Sequence, residues 1–212
     1  MFIKEYDMLT FLIVVFCGFI GLIVVLALVL LGAYNGLVAL REQVKSAFSS
    51  IDVALRQRFD MIPQLVDAAK GAMKFEKDTF KEVVEARNAA KAALDQISQN
   101  GGVATEELLA NLQAKTKALD SAFAGMKVTL EAYPDLKSVE TVKQLQDGIQ
   151  SVENKIAFSR NHYNQTVSDY QTKRSQFPTV IVPTILPAQF PTFAYYQDSE
   201  KEAIQTRPQI NF

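Results

Sequence analysis

The 212-residue sequence holds one histidine, one cysteine and no tryptophan, so it has few ways to build a reactive centre. A di-metal carboxylate bundle needs Glu-x-x-His pairs on facing helices. Here Ser159, not a glutamate, stands three residues before His162, and His162 is read as a polar residue of a surface or seam. A Ser-His-Asp centre would have to bring a serine to that same histidine, and no nucleophile-elbow or oxyanion-hole motif accompanies one. The single Cys17 excludes an internal disulfide and cysteine-based zinc or iron–sulfur ligation. Gly101-Gly102 lacks the lysine and Ser/Thr pair of a phosphate-binding loop. With 22 Lys+Arg against 23 Asp+Glu, a formal charge of -1, the chain has no field to gather nucleic acid. The expectation is a non-enzymatic protein with no cofactor, no metal and no nucleic-acid partner.

What remains is polar residues standing where the pattern asks for apolar ones. Beyond residue 36, apolar residues recur in steps of three and four. One stripe reads Leu37, Leu40, Val44, Ala47, Ile51 and Leu55, then Ile62, Leu65, Ala69 and Met73, and continues through Phe80, Val83, Ala90, Leu94 and Ile97. A second reads Leu108, Leu112, Leu119, Phe123, Met126 and Leu130. A third runs from Val142, Leu145, Ile149, Val152 and Ile156 to Tyr163, Val167 and Tyr170. Such spacing makes the seam of long amphipathic helices packed at shallow angles. Arg58, Glu76 and Arg87 fall on that seam. Two readings stay open for them: solvated ion pairs on the bundle flank, or buried and interfacial pairs that fix register and partner. Arg56, Arg58 and Asp60 are candidates for contacts between subunits, with Arg160 and Asn164, one turn apart near the end of the pattern, facing them.

The elements that must position these residues follow from punctuation. Asn100-Gly101-Gly102 ends one helix, and Thr105 with Glu106 and Glu107 opens the next as a cap plus acidic first turn. Tyr133-Pro134-Asp135 makes a tight connection, Ser138 caps the last helix, and Phe177-Pro178 stops it. Short loops make antiparallel neighbours. Ile62-Pro63 predicts a kink, and Lys70-Gly71 a break, between residues 37 and 99. The segments 37–70, 75–99, 105–131 and 138–176 then measure about 50, 37, 40 and 58 Å.

Ahead of the bundle, Met8 to Leu40 holds no Asp, Glu, Lys, Arg or His. Its densest part, Leu9 to Ala33, exceeds the roughly 20 apolar residues that cross a bilayer. It is too long for the apolar region of a signal peptide, its leader carries Lys4 against Glu5 and Asp7, and Leu31-Gly32-Ala33 is a poor cleavage site. The run is read as a single-pass anchor. Arg41 and Lys45, then Arg56 and Arg58 further on, against Lys4 and the terminal amine favour an outside N-terminus and a cytoplasmic bundle. Behind the bundle, five of the seven prolines fall between Pro178 and Pro208. That tail cannot be helical through its first half, yet it is too apolar for ordinary disorder. It needs a surface to lie on: its own bundle, a neighbouring subunit or the membrane interface.

The residues after the span resemble the LemA family of bacterial single-pass membrane proteins. The likeness starts at Tyr34-Asn35-Gly36-Leu37-Val38 and continues through Asp52, Arg56, Arg58, Asp60, Ile62-Pro63, Leu65-Val66 and Lys70-Gly71. Glu76 and Glu85-Ala86-Arg87 follow, then Tyr133 to Lys137, then Arg160, Tyr163-Asn164, Val167 and Phe177-Pro178. Phe75 stands where the family often has a histidine, and the tail is unusually rich in proline. The resemblance implies one N-terminal span, an elongated bundle of four segments and no established enzymatic activity. It also implies scaffolding, since relatives are linked to organising bacterial membranes, magnetosome membranes among them.

Together these readings give an all-α chain: a short segment 1–8, a transmembrane helix 9–33, an elongated antiparallel four-segment bundle 34–177 and a Pro-rich apolar tail 178–212. The expected partners are the lipid bilayer of the bacterial inner membrane, other copies of the chain in a homo-oligomer, and a protein reached through the tail, whose terminal Ile210-Asn211-Phe212 fits domains that read apolar C-termini. The packing and assembly candidates are Asp52, Arg56, Arg58, Asp60, Pro63, Glu76, Arg87, Arg160 and Asn164.

Overall fold

The computed structural model of the chain describes residues 2–70, 77–133 and 140–196, and the side chains of these apart from 2–7 and 9. Five helices follow in order: α1 (Phe2–Lys70), α2 (Lys77–Gln99), α3 (Glu106–Glu131), α4 (Glu140–Ser175) and the short α5 (Ile181–Ile185). No strand occurs among the described residues, and the all-α class and helical bundle expected from the stripes are present. The chain divides into two compact units, residues 1–42 with 169–191 and residues 43–168 with 192–212.

In the bundle unit the three stripes form the core. Ile51, Leu55, Leu65, Leu94, Leu112, Leu119, Tyr163 and Val167 are wholly buried. Leu108 and Leu145 are only half-buried, and Leu109 takes the seam position next to the former. Between Ile156 and Tyr163 the small Ser159 fills the seam. Residue numbers show the antiparallel arrangement directly. Phe48 meets Tyr163 edge-on, Arg58 meets Glu153, and Met61 lies over Gly148, so numbering on α4 falls as it rises on α1. The same holds for α1 and α2, through Arg56 with Asp95 and Asp60 with Arg87. Between α2 and α3 the turn is tight because Gly101 and Gly102 take φ values of +67° and +75°, where a Cβ would be strained. The Gly102 amide donates to the Ile97 carbonyl to close α2, and the Thr105 hydroxyl accepts from the Leu108 amide to open α3.

In the other unit, α1 carries the uncharged run. Every large apolar side chain from Phe11 to Leu31 except Leu30 is exposed, and the helix is long and apolar enough to cross a membrane. Past the run, the tail packs against it. The Tyr34 hydroxyl donates to Gln189 Oε1 at 3.1 Å, and Arg41 donates to the Gln189 carbonyl at 2.9 Å. Phe190, fully buried, meets the Tyr34 ring edge-on. From α4, Arg174 Nε donates to the Phe190 carbonyl and the Tyr170 hydroxyl to that of Pro191.

Pro63, where a kink and not a break is expected, lies inside one unbroken helix that reaches Lys70. One expectation is corrected. The tail's first half does contain helix: α5 includes Pro183 as its third residue, a first-turn position whose amide needs no partner, so proline costs nothing there. Gly71, Met73 and Glu76, residues 134–137, Ser138 and the terminal Ile210, Asn211 and Phe212 lie outside the described residues.

Candidate functional site

The uninterrupted helix at Pro63 has a specific cause. A proline at position 63 offers no N–H to the carbonyl four residues back, which would leave the Phe59 oxygen unpaired in a buried seam. Arg87 of α2 supplies the missing donor: its Nε bonds the Phe59 carbonyl at 2.8 Å, while Nη2 reaches Asp60 Oδ1 at 3.3 Å. Its side chain is 16% exposed, so the bond is largely shielded from water. Three residues singled out in the sequence, Asp60, Pro63 and Arg87, thus form one node between α1 and α2.

Arg58 makes a second node. Its side chain is 5% exposed and pairs with Asp120 of α3 at 2.5 Å and Glu153 of α4 at 3.4 Å. One guanidinium therefore ties three helices. The two carboxylates keep more water, at 52% and 29% exposure, which lowers the cost of burying the cation between them. Arg56, two residues earlier, faces the other way, since residues two apart do not share a helix face. It bonds Asp52 at 2.9 Å and Asp95 at 2.8 Å, with Ser98 bridging to Asp52. The hydrogen bond that Arg56 donates to Asp52 holds its guanidinium above the ordinary pKa, with Asp95 adding to this and burial working against it. Of the two open readings, Arg58 and Arg87, at 5% and 16% exposure, follow the buried one, while Arg56 pairs within the chain on the flank.

Arg160 and Asn164 do not meet Arg56 or Asp60; they hold the tail. Asn164 Nδ2 donates to the Tyr196 carbonyl at 2.9 Å, and the Tyr196 amide donates back to Asn164 Oδ1 at 2.7 Å. Arg160 lies over the Tyr196 ring, 4.5 Å from its centroid. Tyr163 donates its hydroxyl to the Ala194 carbonyl, and the Ala194 amide bonds Ala104 in the α2–α3 turn. The tail thus docks on its own bundle through residues 193–196. Burial pushes the Tyr163 and Tyr196 hydroxyls above their ordinary pKa; Arg160 opposes the shift at Tyr196. Burial likewise raises Tyr170, against Arg174 and Arg41. These hydroxyls stay protonated at neutral pH, as the donors Tyr163 and Tyr170 must.

Arg160 does come beside Arg58, in a groove of ≈ 290 Å³ with Asp120, Lys127, Glu153 and Phe123. The Nε atoms of both arginines are buried without a partner among the described residues. His162 points to solvent. Missed in the sequence were Asp120 and Glu153, whose helical positions look like ordinary exposed acids, and Tyr196, which only the returning tail brings to Asn164.

With this geometry in place, comparison with known proteins decides the family: the LemA family model matches residues 47–212. The chain belongs to the LemA family. Among curated relatives, magnetosome proteins MamQ 1 and MamQ 2 of Paramagnetospirillum magneticum (strain AMB-1) are each 27% identical over 165 residues, 70% of this chain and 60% of theirs. Magnetosome protein MamQ of Magnetospirillum gryphiswaldense is 24% identical over 164 residues, with the same coverage. The match therefore spans about 60% of the length of these relatives. For this LemA-family chain, the residues that the family model matches lie after the apolar run's densest part.

Proposed function

We propose that this LemA-family protein is a non-catalytic, membrane-anchored scaffold that self-associates and organises or curves a bacterial inner membrane. The observation that carries the reading is α1 itself. One helix supplies both an uncharged run long enough to cross a bilayer and the buried Ile51–Leu55–Leu65 seam of the bundle. An element shared in this way couples whatever the bundle assembles with to the bilayer. The relatives' designation as magnetosome proteins supports a role at a membrane. The excess of Arg41, Lys45, Arg56 and Arg58 over Lys4 supports an outside N-terminus and a cytoplasmic bundle. Light scattering and negative-stain microscopy after gentle detergent extraction test it. Large, regular particles are expected, and a discrete particle of one 23.6 kDa chain plus detergent would overturn self-association.

A second reading, a tethered adaptor, is favoured by the mixed-charge groove that Arg58, Asp120, Lys127, Glu153 and Arg160 line, a surface suited to a charged segment of a protein partner. Filling the groove with Ala157→Trp separates the readings: loss of a bound protein with unchanged particles supports the adaptor.

A further inference from the structure

In the unit formed by residues 1–42 and 169–191, the tail displays what the bundle hides. From Phe177 to Tyr196 the chain carries no charged residue. Phe177 is 82% exposed, Ile185 67%, and Val180 and Leu186 38% each. Thr179, Val182 and Phe190 point inward and are buried, so the turn has two faces, and the outer one is apolar apart from Thr184, whose hydroxyl donates to the Val180 carbonyl. Among the described residues outside the apolar run, its flanking Met8 and the tail, where Tyr195 is 45% exposed as well, the exposed large apolar residues Val53, Val128 and Phe158 occur singly on separate helices. That scatter is the ordinary background; four within ten residues is not.

The backbone of the same segment is prepared for a medium without water. Pro178, Pro183, Pro187 and Pro191 have no N–H to satisfy. The amides of Val180, Ile181, Val182, Leu186, Gln189 and Phe190 all bond carbonyls three or four residues back. In hydrocarbon, backbone donors must be satisfied within the protein. Prolines remove four donors and local turns pair six more, whereas the amides of Phe177 and Thr179 have no partner among the described residues. Position agrees: Gln189 and Phe190 are fastened to Tyr34 and Arg41, and Tyr34 is the residue after the dense apolar run ends at Ala33. Leu186 is three residues from Gln189, within about 11 Å of chain. Lys173 and Arg174 close α4 just before the turn, where cations meet lipid headgroups.

We propose that residues 177–186 are a second membrane contact, an uncharged wedge that enters the interfacial layer and upper acyl region of the bilayer crossed by α1. The proposal rests on reading residues 9–33 as a membrane span. Its occupant is lipid because the face is uncharged, shares a unit with the exposed apolar run of α1, and has most of its backbone donors paired locally or removed by proline.

The chain has no tryptophan, so single reporters are unambiguous. Phe177→Trp, Ile185→Trp, Ile20→Trp and Val128→Trp are each introduced in the full-length protein, checked for native helicity by circular dichroism, and reconstituted in vesicles of phosphatidylcholine brominated on its acyl chains. The expected result is blue-shifted emission with strong quenching at positions 177 and 185 and at position 20, and unquenched, water-like emission at position 128. Quenching at 20 but not at 177 or 185 overturns the wedge and leaves the anchor standing. No quenching at 20 removes the anchor and the wedge with it. A blue shift at 185 without quenching overturns the proposal in favour of a second copy of the chain covering this face.

Discussion

The two units use the same kinds of residue to opposite ends. Residues 43–168 turn leucine, isoleucine, phenylalanine and tyrosine inward, so that Leu55, Leu94, Phe59 and Tyr163 are wholly buried. The other unit keeps Phe11 to Leu31 outward, together with Phe177 and Ile185. Hydrophobic residue types alone do not make a core; the period does. In the bundle, apolar positions recur at three and four with polar residues between, so burying one stripe leaves a wetted face. The run at 9–33 is apolar all round, and no packing against one neighbour can cover it.

The largest test of that difference is a pair of truncations. Leu94→Ala is expected to lower stability by about 2–5 kcal/mol, since it leaves a cavity. Ile185→Ala, at a site 67% exposed, is expected to change it by less than about 0.5 kcal/mol. Thermal unfolding in detergent, followed by far-ultraviolet circular dichroism, measures both; equal effects would erase the contrast.

Arg58→Ala is expected to cost about 1–3 kcal/mol, tempered because Asp120 and Glu153 retain access to water. Arg58→Met should recover most of it, as an apolar side chain of similar length suits a buried seam. A failure of Met to rescue would mean that the ion pair itself holds α3 and α4.

Arg87→Ala is expected to cost about 1–2 kcal/mol by leaving the Phe59 carbonyl unpaired. In a Pro63→Ala background the restored amide serves that carbonyl, and the same change should cost less. A double-mutant cycle reads this coupling directly, and strict additivity would refute the assigned role of Arg87.

The buried tyrosines give a pH test. Tyr163, Tyr170 and Tyr196 hold their protons more tightly folded than unfolded. Above about pH 10 the unfolded chain releases protons that the folded one keeps, so stability falls as pH rises, by at most about 1.4 kcal/mol per pH unit for each tyrosine. Unfolding midpoints from neutral to alkaline pH should show no such loss below that range, and Tyr163→Phe should flatten the slope.

The smallest effect belongs to the flank. Arg56→Ala is expected to cost less than about 1 kcal/mol and to lose that cost in high salt, because its pairs with Asp52 and Asp95 are partly solvated. Denaturant titrations at two salt concentrations would show it.

The four long helices, their seams and the uncharged apolar run were legible along the chain. Those depend on local periodicity, caps such as Thr105 and the absence of charge, all of which can be read along the chain. The sequence pointed to Arg58, Arg87 and Pro63, because each breaks the helical pattern, and to Asn164, one turn from Arg160 and part of the family resemblance. Only the tertiary structure decided what they do. Arg58 finds Asp120 62 residues away, Arg87 completes a hydrogen bond that Pro63 withholds, and Asn164 binds the backbone of Tyr196. Pairings of this kind are set by which helices meet and in what register, and one strand of text carries no period for them. The tail shows the same division: its composition demanded an apolar surface, and the returning chain supplied Tyr34, Arg41, Tyr163 and Asn164 as the places where it is fastened.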